Sequence, residues 1–349
     1  MTIRNGLELS HAYVPFGEKT GLEDVNLQVA RGERVALLGP SGVGKTSLLR
    51  AIAGLGKLSS GTVRVDGRDV TAAPPEGRGI VYMHQSPSLF PHVSVLDNVA
   101  FPLEVRGVPR SAARAAATEL LERVRLRSAA LRQPSTLSGG QRHRVALARA
   151  LAADPAVLLL DEPFASLDPG LRAEVRDAVV DLLERGDGPA VLLVTHDVDE
   201  AAGLADRLAV LLQARIAQIG VPAEVLACPR SLAVARFVGL PNLMRGVRDR
   251  RAVVTCALGA FDRPGPPGPV VVTARGGALR VRARQGGATI GTVRGLVDRV
   301  HGTAVRIDVD GERLLAVPEL GLQLEVGASV DVVVDPTSLH VIEEPADGD

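Results

Sequence analysis

The stretch from Gly39 to Thr46, GPSGVGKT, constrains this chain more than any other and matches the pattern GxxxxGK[ST]. It follows the apolar run RVALL and opens GKTSLLRAIAGL, whose apolar residues recur at three- and four-residue spacing. A strand, a glycine-rich loop and a helix in that order make a cradle for phosphate. Successive backbone N–H groups wrap the oxygens and the helix N-terminus adds a positive dipole end. In such a cradle Lys45 reaches the terminal phosphates and Thr46 holds Mg²⁺. The alternative, a glycine-rich turn with a chance lysine, is disfavoured by the strand before it and the helix after it.

The text around this loop fits a parallel sheet. From Arg34 to Asp197, short apolar runs alternate with helical stretches. RVALLG, AVLLLDE and AVLLVTHD are expected as strands covered on both faces, because their Val and Leu content is continuous. GKTSLLRAIAGL, LRAEVRDAVVDLLERG and DEAAGLADRLAVL are expected as helices, and the Arg- and Ala-rich stretch Arg106 to Arg132 as surface helices. After about Gly239 the composition changes. Asp262 to Pro269, DRPGPPGP, cannot continue a helix or a central strand, so a boundary is expected nearby. Beyond it VVVTA, LRVRA, VRIDVDG and SVDVVVD alternate apolar with polar residues, as in a small antiparallel barrel or sandwich.

Composition narrows the classes of function. With 349 residues, about two domains are expected. Forty Lys plus Arg balance forty Asp plus Glu, so no global positive field points to nucleic acid. Aromatics are 2% and Trp is absent, which leaves few platforms for stacking bases. Cys228 and Cys256 lie far apart without CxxC spacing, which excludes a disulfide framework and fits the cytosol. No basic leader opens the chain and no apolar run reaches the roughly 20 residues that span a bilayer, so a soluble protein is expected. The only lysines are Lys19, Lys45 and Lys57, which singles out Lys45 further.

AVLLLDEP puts Asp161 and Glu162 side by side at the end of an apolar strand, where two carboxylates have no structural reason to meet. With a phosphate cradle in the same chain, Asp161 suits the Mg²⁺ shell and Glu162 suits a general base for attacking water. A further stretch, Leu137 to Gln141, reads LSGGQ and is followed by RHRVALARAL. It opens a helix, so Ser138, Gly139 and Gly140 present a hydroxyl and N–H groups suited to a phosphate.

With LSGGQ the chain resembles the ATP-binding-cassette ATPases, and the rest of that family's ordered set is present from about Leu7 to Gly239. Gln85, in YMHQSPSLFPH, matches the residue that touches Mg²⁺ and senses the γ-phosphate. Ser166, Leu167 and Asp168 match the loop that communicates across a dimer, and His196, in VTHD, matches the histidine that contacts the γ-phosphate. Phe16 matches the aromatic that stacks on adenine, with Tyr13 as the second candidate. Gly39, Pro40, Ser41, Gly42, Val43, Gly44, Lys45, Thr46 and Ser47 are the cofactor contacts the resemblance implies, together with Asp168 and with Ser138, Gly139, Gly140 and Gln141 of the LSGGQ segment, which faces the P-loop of the other subunit. It implies no role for His84 or His92. Two ATP molecules would lie between two copies of the chain, each held by one P-loop and one partner LSGGQ.

FPHVSVLDNVAFPLEVRGVP, PFASLDPGLRAEVRD and VPAEVLACPRSLAVARFVGLPNLMRG resemble the ATPase subunits of bacterial solute importers. The tail from about Gly291 resembles their C-terminal oligomer-binding-like (TOBE) domain, although the usual Arg-Pro-Glu element reads Arg275-Gly276-Gly277. The resemblance implies an α/β P-loop ATPase core over 1–239, with an inserted helical subdomain at about 87–156, and a smaller all-β domain over 240–349. It implies two transmembrane permease subunits as partners, an extracytoplasmic solute-binding protein, and a place at the cytoplasmic face of the membrane. The solutes of such importers are sulfate, molybdate or tungstate, ferric iron, polyamines or sugars. An exporter ATPase, or a soluble ATPase of the same family outside transport, is the alternative.

Overall fold

Continuous Val and Leu runs can be buried only in the middle of a covered sheet, and three of them lie side by side there. A computed structural model describes residues 6–16, 20–86, 88–165, 169–183, 188–275, 277–286, 289–299 and 302–343. The chain divides into two compact units, 1–222 and 223–349. The first runs β1 (Gly6–Phe16), β2 (Thr20–Ala30), β3 (Arg34–Leu38), α1 (Lys45–Ala53), β4 (Ser60–Val65), β5 (Arg68–Asp69), β6 (Ile80–Met83), α2 (Val95–Val105), α3 (Arg110–Arg123), α4 (Gly139–Ala152), β7 (Val157–Asp161), α5 (Pro169–Leu183), β8 (Ala190–Thr195), α6 (Val198–Leu204), β9 (Arg207–Leu212) and β10 (Arg215–Gly220).

Its larger sheet has the order β10-β9-β3-β8-β7-β6. All neighbours from β9 to β6 are parallel, and β10 closes the edge as an antiparallel hairpin with β9. Every residue of β7 and β8 is buried, as continuous apolar runs require. A second, antiparallel sheet, β2-β1-β4-β5, alternates buried and exposed positions and shares one apolar core with α1 and the larger sheet. Helices α2, α3 and α4 follow β6 and precede β7.

The expected helix DEAAGLADRLAVL is corrected. Only Val198–Leu204 is helical; Arg207–Leu212 is β9, parallel to β3. The run LAVL is buried on every side chain, which suits a strand covered on both faces better than a helix with one wet face. Asp206 anchors the switch: its carboxylate accepts the backbone N–H of Arg34 at 2.8 Å and that residue's guanidinium at 2.9 Å.

Arg78 ties α1 to the start of β6. It is buried, and its guanidinium donates to the carbonyls of Ala51, Ile52, Thr71 and Ala73 at 2.8–3.1 Å, two of them at the C-terminal end of α1. Arg78→Leu strands those acceptors, and we expect a loss of about 3 kcal/mol. That corresponds to a thermal midpoint lower by roughly 6–12 °C for a unit of this size. Calorimetry showing an unchanged midpoint would refute the clamp.

The second unit begins with two short helices, α7 (Pro222–Ala227) and α8 (Leu232–Phe237), the latter packing Ala235 against Val271 and Ile342. The strands are β11 (Asn242–Arg248), β12 (Val253–Cys256), β13 (Gly259–Asp262), β14 (Gly268–Ala274), β15 (Leu279–Arg282), β16 (Thr289–Arg299), β17 (Gly302–Val309), β18 (Glu312–Pro318), β19 (Ser329–Val334) and β20 (Leu339–Glu343). They form an antiparallel sheet, β13-β12-β11-β14-β20, and a closed barrel, β15-β18-β17-β16-β19. The cluster DRPGPPGP joins β13 to β14 within this unit, and Pro269 enters β14 just before its pairing with β20 starts at Val270. The barrel is not wholly antiparallel: β15 and β18 run parallel where it closes. Sheet and barrel share one core that includes Met244, Val272, Val281, Ile307 and Val332. Buried Asn242 joins them, its amide accepting the N–H of Leu315 at 2.7 Å and donating to the same residue's carbonyl at 2.9 Å.

Candidate functional site

Parallel strands deliver their next residues to one rim, and ligands of open α/β sheets bind there. Here β3 leads into Gly39, β6 into Gln85, β7 into Glu162 and β8 into His196. Residues far apart in sequence are therefore neighbours at the carboxyl edge of one sheet.

Phe16, Ser41, Gly42, Gly44, Lys45, Thr46, Ser47 and Glu162 line a cavity of about 210 Å³. Gly44 is the N-cap of α1 at φ 104°, and a Cβ there would stand 2.5 Å from the Phe16 ring. Conformation and space both require glycine at that point. Gly42 is also left-handed, at φ 80°, with open space where a side chain would be, so the loop keeps its inner surface bare for a ligand. Phe16 thus packs on the loop at the cavity wall. Tyr13 is not among the lining residues; its ring lies against Gly21.

Lys45 is buried and turns back on the loop, donating to the carbonyls of Gly39 at 2.7 Å and Pro40 at 3.0 Å. Burial pulls its ammonium below the usual lysine range, while the carboxylates of Glu162 and Asp161 pull the other way. A polyphosphate would offer that ammonium anionic acceptors in place of neutral ones.

Asp161 is buried at the end of β7 and both of its oxygens are occupied. Oδ1 accepts the Thr46 hydroxyl at 3.0 Å and Oδ2 accepts the Tyr82 hydroxyl at 2.7 Å. A hydroxyl and a carboxylate in contact at the mouth of a phosphate cradle suit a hard, oxygen-preferring cation such as Mg²⁺. Glu162 leaves the strand with φ 44°, a left-handed backbone that a non-glycine residue adopts at a cost, and its N–H donates to the Val194 carbonyl at 3.0 Å. This turn separates the two carboxylates: Asp161 points to Thr46, and Glu162 to the cavity and to His196, whose Nδ1 is 3.5 Å from Oε1.

Gln85 is exposed and is not among the residues that line the cavity. Its carbonyl accepts from or faces Nε2 of buried His143 at 3.0 Å, whose Nδ1 lies 3.2 Å from the Gly139 carbonyl. Ser138 caps α4 in a reciprocal box with Gln141, and its hydroxyl oxygen accepts the Gln141 N–H at 3.3 Å. That leaves its proton free to donate to a ligand. Ser138, Gly139, Gly140 and Gln141 lie outside the cavity lining, and Ser166, Leu167 and Asp168 fall outside the described residues. Sequence reasoning missed Tyr82 and His143. The signal for Tyr82 was its place on a strand three residues before Gln85 in a chain with only two tyrosines.

Comparison with known proteins gives the family of the chain. Residues 22–165 match the family described as ABC transporter. The chain is 42% identical over 300 residues, 85% of its length and 78% of the relative's, to the sulfate/thiosulfate import ATP-binding protein CysA of Mycolicibacterium paratuberculosis. It is 41% identical over 338 residues, 96% of its length and 97% of the relative's, to the Fe(3+) ions import ATP-binding protein FbpC of Streptomyces coelicolor. With the molybdate/tungstate import ATP-binding protein WtpC of Thermococcus kodakarensis it shares 44% identity over 233 residues, 66% of its length and 69% of the relative's.

The chain belongs to the ABC transporter family and is an ATP-binding ATPase of that family. Within it, the chain is an ATP-binding subunit of the import type.

Proposed function

We propose that two copies of this chain close around two ATP molecules and couple hydrolysis to uptake of a solute through separate membrane subunits. The observation that carries this reading is the convergence at one cavity of Lys45, Thr46 and Glu162, with Asp161 on Thr46 and His196 on Glu162. Phe16 stacks on the adenine. Gly39 to Ser47 wrap the phosphates of one ATP, and Ser138, Gly139, Gly140, Gln141 and Asp168 meet them from the other copy. Thr46, Asp161 and Gln85 would hold Mg²⁺, which when bound neutralises charge on the phosphates. Glu162 takes a proton from the attacking water, and His196 holds the γ-phosphate and orients Glu162.

Among the described residues no helix is long and apolar enough to cross a membrane. The proposed seat for a permease subunit is the groove of about 210 Å³ lined by Tyr82, His84, Ser88, Pro102 and Arg149. Phe90 and Phe101 pack edge to face at 4.8 Å, with Arg149 over the Phe90 ring, and stay 42% and 45% exposed. With the permease seated there, the proposed location of the chain is the cytoplasmic face of the membrane, with a solute-binding protein on the far side.

Residues 240–349 are proposed as a TOBE-like domain that scaffolds or regulates without joining the chemistry. Its barrel carries a concavity of about 800 Å³ lined by Arg294, Arg306, Arg313 and Asp308. Asp308 lies 3.5 Å from Arg294, which leaves an excess of positive charge. Such a surface favours an oxyanion over a polyamine as anything the second unit senses.

Ser138→Arg tests the two-copy reading. It places bulk and charge where the partner's ATP would sit, so ATP binding to the single chain is expected to persist while ATP-driven dimerisation and hydrolysis disappear. Light scattering with and without ATP reads the outcome, and a variant that still dimerises sinks the shared-site proposal.

A further inference from the structure

Tyr82 reaches the buried carboxylate of Asp161, which holds the cavity-lining Thr46 by its other oxygen. On β6 it stands opposite Leu159 of β7, so Asp161, two residues further along β7, projects to the same face of the sheet. The phenol is half-buried and its hydroxyl donates to Asp161 Oδ2 at 2.7 Å, on the side away from Thr46. The ring is itself held, edge to face, by His84 at 4.3 Å. A buried carboxylate with one oxygen pinned by a fixed phenol loses its freedom to rotate, and its other oxygen stays turned to the Thr46 hydroxyl.

We propose that Tyr82 is a positioning residue for metal binding: its hydroxyl fixes the Asp161 carboxylate so that Oδ1 and the Thr46 hydroxyl face a divalent cation together. The inference rests on the reading of this cavity as an Mg²⁺- and ATP-binding site. Groups in the shell behind a metal ligand orient it, and their loss commonly weakens the metal about tenfold or more. The same ring also lines the groove beside Arg149, so one side chain touches both the metal-side carboxylate and the surface assigned to the permease.

The chain has no Trp and two tyrosines, Tyr13 and Tyr82, so Tyr13→Phe leaves Tyr82 as the only strong near-ultraviolet fluorophore. A phenol donating to a carboxylate is quenched, and a cation drawing on that carboxylate weakens the hydrogen bond. In the Tyr13→Phe chain saturated with ATP, Tyr82 emission is expected to rise as Mg²⁺ replaces EDTA, and not to rise when Asp161→Asn is added. An emission that ignores Mg²⁺ while a fluorescent ATP analogue still binds overturns the role of Tyr82. Failure of that analogue to bind overturns the ATP reading instead. In the full chain Tyr82→Phe keeps the ring, so the fold should hold. The Mg²⁺ concentration for half-maximal hydrolysis is expected to rise roughly tenfold. ATP affinity in EDTA and turnover at saturating Mg²⁺ should stay within about twofold of the parent. A parent-like Mg²⁺ requirement, or a loss of turnover that saturating Mg²⁺ does not restore, overturns the proposal.

Discussion

Glu162→Gln is expected to bind ATP normally, to release phosphate about 10²–10⁴-fold more slowly and to accumulate as an ATP-held dimer. The replacement preserves the length of the side chain and the left-handed backbone at φ 44°, so the cavity wall keeps its shape. What disappears is the basic oxygen beside His196, 3.5 Å from its Nδ1. Every proposed grip on the phosphates remains: Lys45, the loop N–H groups, and Ser138 from the second copy. Binding energy is retained while the proton acceptor is lost, so the closed state persists. Phosphate-release assays and size-exclusion chromatography in ATP read both halves, and turnover at the parent rate would remove Glu162 from the chemistry.

Lys45→Ala is expected to do the reverse, weakening ATP binding roughly a hundredfold without weakening the fold. Charge-assisted hydrogen bonds to a polyphosphate are worth about 3 kcal/mol, roughly a hundredfold in affinity. Among the described residues the ammonium donates to the Gly39 and Pro40 carbonyls, and burial already holds it below the usual lysine range. Removing a charge that the interior disfavours costs the folded state little. Binding of a fluorescent nucleotide analogue and a thermal melt separate the two effects. Near-parental affinity would show that Lys45 is not a phosphate contact, whereas a collapsed melting midpoint would make it structural.

Much of this was legible in the text because the text repeats physical necessities. RVALL, AVLLLD and AVLLVT could be buried only as covered strands, and the loop after the first demanded glycine where φ is positive. The Arg207–Leu212 strand was not legible as such, since an apolar run beginning right after a helix continues the helical spacing. Only pairing with β3 separates the two readings. Tyr82 escaped because its importance lies in pairing between β6 and β7, which join residues 79 positions apart. His143 escaped for the same reason, as Gln85 is 58 positions away. The parallel closure between β15 and β18 leaves no periodic mark at all. Local rules find what a residue does to its own backbone, whereas these contacts depend on which strands become neighbours.

Asn242 has a consequence for how the second unit comes apart. Its carboxamide imitates a peptide group, offering Leu315 one acceptor and one donor as a neighbouring strand would. The link spans 73 positions of sequence and sits in a fully buried place, where breaking it exposes polar groups to no water. The antiparallel sheet cannot lift away from the barrel without opening the core they share, so local fluctuations that release one must release the other. The second unit is therefore expected to open as one cooperative foldon, its central amides exchanging with solvent through a common opening despite the two differently curved β assemblies from which it is built.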